Sequence, residues 1–238
     1  MSLYLFLEIC AIIIPLIFSF DKNLQFRKNW KSVILSFSIV AAFYISGDIY
    51  FAKNGIWGFN PEYHAGLVIC GLPIEEWIFF FAIPYASIFL HYSLEFVFPK
   101  IRLSNKITLI ISIIAIAVLV IATIMNLGKT YTVFNFITLI IAIILAQFSK
   151  AKILNRFYIS FLVILVPFFI TNSILTGTFI EKEVVWYNNA ETMGIRILTV
   201  PIEDIGYAFS LIGLNLLLMS VFQKNFKQRS NLPDGYEI

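Results

Sequence analysis

Seven apolar runs of about twenty residues leave this chain little choice but a lipid bilayer. They lie at roughly 3 to 20, 32 to 51, 74 to 98, 106 to 125, 131 to 148, 157 to 178 and 199 to 222. About twenty apolar residues are what a helix needs to cross a hydrocarbon core ~30 Å thick. Composition closes the alternative. With 60% hydrophobic and 13% charged residues and a mean hydropathy of +0.88, there is too little polar surface to cover a soluble globule. The expected fold is an all-α integral membrane protein with seven transmembrane helices.

Charge orients the helices. Lys22, Arg27, Lys28 and Lys31 follow the first run, Lys100, Arg102 and Lys106 the third, and Lys150, Lys152 and Arg156 the fifth, while the loops between carry no basic excess. Basic loops stay cytoplasmic, so the N-terminus is expected outside and the tail with Lys224, Lys227 and Arg229 inside, in the plasma membrane of a bacterium. No basic residue precedes the first run and no small-residue cleavage site follows it, so it reads as an anchor rather than a signal peptide. The lysines and arginines orient helices and mark no nucleic-acid surface. Cys10 and Cys70 form no CxxC pair and argue neither a metal or redox site nor a disulfide.

The chain also repeats itself. Pro73-Ile74-Glu75-Glu76 returns as Pro201-Ile202-Glu203-Asp204. Upstream, Ile56-Trp57-Gly58-Phe59-Asn60 and Gly66 return as Val185-Trp186-Tyr187-Asn188-Asn189 and Gly194. Helices 1 to 3 then correspond to helices 5 to 7. Three helices reverse the chain, so a fourth must restart the second copy in the original direction. Helix 4, with no ionisable residue between Lys106 and Lys129, fits that role. The copies are expected to run parallel about an axis along the membrane normal, with both acidic motifs facing one junction. The expected boundaries are 1–98 for the first repeat, 99–130 for the linker helix, 131–222 for the second repeat and 223–238 for a polar cytoplasmic tail.

A carboxylate at lipid depth costs roughly 2.5 to 3.5 kcal/mol on insertion scales, and four at matching places need a reason. Pro suits the first helical turn, where its missing N–H is not needed, and the acids follow in that turn. Capping explains one acid per helix better than a doublet in each. Four carboxyls within several Å cannot all be ionised, so at least one is expected to hold a proton beside ionised partners, the arrangement that supplies both acid and base. Glu75 and Glu203 are expected to carry that chemistry, with Glu76 and Asp204 tuning them.

Aromatic residues surround the motifs: Trp57 and Trp186 before them, Trp77, Phe79 and Phe80 after the first, and Tyr207 after the second. Helical spacing puts Phe79 and Phe80 on the face of Glu75 and Glu76. Belt anchoring and core packing explain such residues too. Their π-faces stabilise cations without being nucleophiles, so acids with aromatics suit protonation of an alkene and steering of the carbocation.

The repeated Pro-Ile-Glu-Glu and Pro-Ile-Glu-Asp motifs, the upstream Trp and the three-helix repeat joined by one extra helix closely resemble the membrane lycopene cyclases that lack a flavin domain. The resemblance runs from about Tyr4 to Phe222 and is to the fused two-repeat form. It implies a redox-neutral, acid-initiated closure of the ψ ends of lycopene to β-rings, giving γ-carotene and β-carotene, with no external cofactor. The acidic positions of the family carry over to Glu75, Glu76, Glu203 and Asp204. Asp48 resembles a further family acid, with Asn172 about one turn from the matching place in the second copy, and Glu8 has Asn135 as its counterpart. A linear carotenoid in the bilayer is the implied substrate, and carotenoid-pathway enzymes or a second copy of the chain are open as partners.

Two readings compete. A three-plus-one-plus-three layout is also that of the small sugar transporters called SWEETs, whose Pro-Gln loop signature is missing here. A carotenoid hydratase would share the first cation and let water reach it. A retinal protein is excluded because the seventh run has no Lys from Arg196 to Gln223.

Overall fold

The computed structural model describes residues 2–149 and 151–230. Lys150 and the last eight residues of the expected tail lie outside them. The helices are α1 (Leu3–Phe18), α2 (Trp30–Lys53), α3 (Ile74–Val97), α4 (Asn105–Met125), α5 (Thr130–Phe148), α6 (Leu154–Leu175) and α7 (Glu203–Ser230). Six are long and apolar enough to cross a membrane, but α1, with 16 residues, is shorter and spans only about 24 Å at 1.5 Å per residue. Helix α7 does not stop near Phe222 as expected but continues through the polar segment to Ser230.

Short strands close one end of the bundle: β1 (Trp57–Phe59), β2 (Val68–Ile69) and β3 (Leu72–Pro73), then β4 (Val185–Tyr187), β5 (Arg196–Ile197) and β6 (Val200–Pro201). β2 with β3, and β5 with β6, are two-residue hairpins leading straight into α3 and α7. Gly71, at φ 86°, supplies the left-handed conformation the first turn needs. The motif prolines therefore sit in hairpin strands just before the helices, not in the first helical turn. Pro73 is extended, at φ −62° and ψ 153°, and its missing N–H removes no helical hydrogen bond.

Equivalent bonds occur in both halves of the chain. Ile74 N–H donates to Leu67 at 2.9 Å and Ile202 N–H to Ile195 at 3.0 Å. β1 pairs antiparallel with β4, Gly58 opposite Trp186, and is flanked by Asn60 N–H to Val184 at 2.8 Å and Asn188 N–H to Ile56 at 2.9 Å. Ile56 thus corresponds to Val184 and Trp57 to Val185, so the tryptophans are not counterparts. A one-residue slip in a strand turns a side chain to the other face. Trp57 points in and is buried, whereas Trp186 is exposed and lies over Gly58 so closely that a Cβ there would come within 2.6 Å of its ring.

The helices exchange partners between halves. α1 packs on α3 and α5 on α7, while α2 packs on α7 and α3 on α6. α4 lies outside, against α5 and α6, with most of its side chains exposed. Its buried Ser112 meets Tyr158 at 2.8 Å and Gln147 at 3.1 Å, which fixes an otherwise featureless apolar helix.

Candidate active site

The sequence places each acid doublet at the start of a helix beneath a hairpin, and helical geometry then separates the two members. Successive residues on a helix point about 100° apart, so one acid faces the loops and the other the bundle.

Glu75 and Glu203 face the loops. Glu75 Oε1 accepts from the Ser2 hydroxyl at 2.6 Å and the Ala65 N–H at 2.7 Å. Glu203 Oε1 accepts from the Thr132 hydroxyl at 2.6 Å and the Met193 N–H at 2.6 Å. Each ties the loop that leads into a hairpin to the start of the helix beside it, α1 or α5. Both are fully buried, and the second oxygen of each has no partner among the described residues.

Glu76 and Asp204 face a cavity of about 470 Å³ between α1, α3, α6 and α7. Tyr4 donates to Glu76 Oε2 at 2.5 Å. Asp204 is held on both oxygens, by Tyr131 at 2.7 Å and Tyr187 at 2.9 Å. Tyr187 stands on β4, outside the helices. Burial, then the Asp204 carboxylate beside it, holds its hydroxyl well above the ordinary phenol range, so it remains a donor at neutral pH. Asp48 on α2 lines the same cavity and accepts from Tyr207 at 3.0 Å. Three carboxyl groups thus meet one space whose wall is otherwise mostly aliphatic and aromatic.

Of the expected aromatic residues, Trp57, Phe79 and Tyr207 line this cavity. Phe80 does not: it is buried between helices against Tyr44. Trp77 is half-buried beside the hairpin, its indole N–H 3.4 Å from the Ile69 carbonyl, and Trp186 lies on the outer face. The expected Phe79–Phe80 pair fails because a doublet diverges on a helix just as the acids do.

Asn172 also lines the cavity, and the loop bonds explain its place. Ile56 N–H donates to Phe51 and Val184 N–H to Leu175, so Phe51 matches Leu175 and the second loop is longer by four residues. Counted from these anchors, Asn172 falls directly at the position of Asp48 and not a turn away. Glu8 and Asn135 are both buried, and neither Glu8 oxygen nor Asn135 Oδ1 has a partner among the described residues.

Tyr4, Tyr131 and Tyr187 were not anticipated. A signal for two of them is present: Tyr4 precedes Glu8 as Tyr131 precedes Asn135, one helical turn each, at the starts of α1 and α5. A larger concavity of about 600 Å³ lies at the opposite end, lined by polar residues such as His91, Arg102, Asn155 and Arg156. It contains none of the motif acids.

A family model described as lycopene cyclase matches residues 1–94 and 128–222. No curated protein and no solved structure matches the chain.

Proposed function

Since the chain belongs to the lycopene cyclase family and is therefore an enzyme of carotenoid cyclisation, we propose that ring closure takes place in the cavity where Glu76 and Asp204 meet. The supporting observation is that one carboxyl from each motif reaches this apolar space while its neighbour is tied to a loop. Glu76, held among the described residues on one oxygen only, has the other to deliver a proton to the terminal double bond of a ψ end. The tertiary cation formed is attacked by the nearby alkene, closing a six-membered ring and moving the charge into it. Asp204, with a phenol donated to each oxygen, is an acceptor and takes a proton from the adjacent ring carbon to leave a β-ring. One proton enters and one leaves. Phe79, Trp57 and Tyr207 offer π-faces to the cation, and the apolar wall keeps out water that would trap it as an alcohol. Asp48, held by Tyr207, orients that ring.

Heavy water tests the scheme. Purified protein freed of small molecules and given lycopene in liposomes is expected to place one deuterium in each new ring over many turnovers, with lycopene's elemental formula otherwise unchanged by mass spectrometry. Rings formed without deuterium over many turnovers would reject solvent-derived protonation, and a strict need for reduced flavin would reject a cofactor-free cycle.

The membrane arrangement belongs to the same reading. Taking α1 as the seventh crossing, the strands and both motifs lie at the outer face and the basic loops inside. The duplicated hairpin bonds and the β1–β4 pairing centred on Gly58 and Trp186 support two parallel copies related by an axis between those residues. In a background lacking Cys10 and Cys70, single cysteines near Lys28 and near Asn188 are expected to react with an impermeant maleimide from opposite sides only. Equal labelling from outside would overturn the topology.

A further inference from the structure

The two halves are alike at the acids but not in the grooves beside them, and this difference decides how a long substrate is held. Bonding at the helix ends sets the correspondence. Tyr4 and Tyr131 hold Glu76 and Asp204, so Leu7 on α1 matches Phe134 on α5. The match of Phe51 with Leu175 aligns Phe43 with Pro167 and Gly47 with Thr171.

Between α5 and α2 the groove is filled. The Phe134 ring stacks on Phe43, centroids 5.9 Å apart at 18°. It also lies on Gly47, where a Cβ would meet it at 3.1 Å. Between α1 and α6 the counterparts Leu7, Pro167 and Thr171 all line the open cavity. There the opening reaches the outer surface of the bundle: Ile14 on α1 and Ile170 on α6 line the cavity yet are 60% and 61% exposed. In a bilayer that surface meets acyl chains.

Resting on the proposed site, we infer that, among the described residues, the gap between α1 and α6 is the only substrate portal of a single reaction chamber. One end of the carotenoid occupies the chamber while the rest of the chain, about as long as the ~30 Å hydrocarbon core is thick, extends through the gap into lipid. Each visit closes one ring. The second ring requires release of the monocyclic product and re-entry by its other end, because the matching groove is blocked by Phe134.

Photo-cross-linking tests the portal without turnover. A benzophenone side chain is placed at Ile14 or Ile170, and at their counterparts Ile141 and Ser46 on the filled side, in an inactive Glu76→Gln background with lycopene in vesicles. Saturable adducts at Ile14 and Ile170, at least fivefold above those at Ile141 and Ser46, are expected. Equal adducts on both sides would overturn the portal, whatever the role of the acids. In the active protein, deuterated lycopene is chased early with excess unlabelled lycopene. Labelled monocyclic carotene is expected to accumulate, with labelled bicyclic product cut at least tenfold. Undiminished labelled bicyclic product, with no free monocyclic carotene, would overturn one ring per visit. Loss of all cyclisation in Glu76→Gln with preserved adducts separates the acid chemistry from the portal.

Discussion

Glu76→Gln and Asp204→Asn are expected to abolish cyclisation, with product formation falling by about 10² to 10⁴-fold, the range a positioned acid or base contributes. Each amide keeps the shape of the side chain; its one oxygen still accepts from a tyrosine, and in Asp204→Asn the NH2 donates to the hydroxyl oxygen of the second tyrosine, but neither amide exchanges a proton with an alkene or a carbocation. Tyr4 donates to Glu76, and Tyr131 and Tyr187 to Asp204, so both variants should stay folded. Pigment chromatography from lycopene-accumulating cells, with protein levels measured in parallel, provides the check. If both variants retained wild-type yield, the acids facing the cavity would not be the acid and base.

Glu75 and Glu203 are expected to act on stability instead. Glu203→Ala leaves the Thr132 hydroxyl and the Met193 N–H without their shared acceptor, in a site where Glu203 has no exposed surface. Unpaired buried donors cost about 1 to 3 kcal/mol, and for a chain of this size 1 kcal/mol moves the melting temperature by about 2 to 4 °C. Apparent melting in detergent should fall by at least ~4 °C for Glu203→Ala and for Glu75→Ala. Glu203→Gln, which keeps an acceptor oxygen, should stay within ~2 °C and retain most activity. A Glu203→Ala protein as stable as wild type would remove the pinning role, and a fully inactive, stable Glu203→Gln would return the chemistry to this acid.

Those two expected outcomes would reverse the roles that the motif alone suggests, and the reason is geometric. Pro-Ile-Glu-Glu and Pro-Ile-Glu-Asp mark where acidic helices begin, but adjacent residues on a helix point in different directions. Which member meets the cavity depends on how the helix is rotated against its neighbours. That rotation is set by contacts from outside the helix: Ser2 and Ala65 on Glu75, Tyr131 and Tyr187 on Asp204. The same limit accounts for Phe80, directed into helix packing while Phe79 reaches the cavity, and for Trp186, which strand register puts on the outer face.

The apolar runs by themselves determined an all-helical membrane protein, because lipid offers the backbone no other hydrogen-bond partners. Six helices have the length expected of spans, and their order and approximate ends follow the hydropathy except at α7, which runs on to Ser230. The repeated motifs marked the two acidic helix starts and, through family resemblance, the chemistry. Only the tertiary structure decided that α1 is short, that the hairpins hold the motif prolines, and that Asp48 and Asn172 both line the cavity. It also decided that one groove is open where the other is filled. Hydropathy is a property of each residue with its immediate neighbours, whereas a cavity exists only where helices far apart in the chain fail to close on one another, here Leu7 facing Thr171 in place of Phe134 on Gly47.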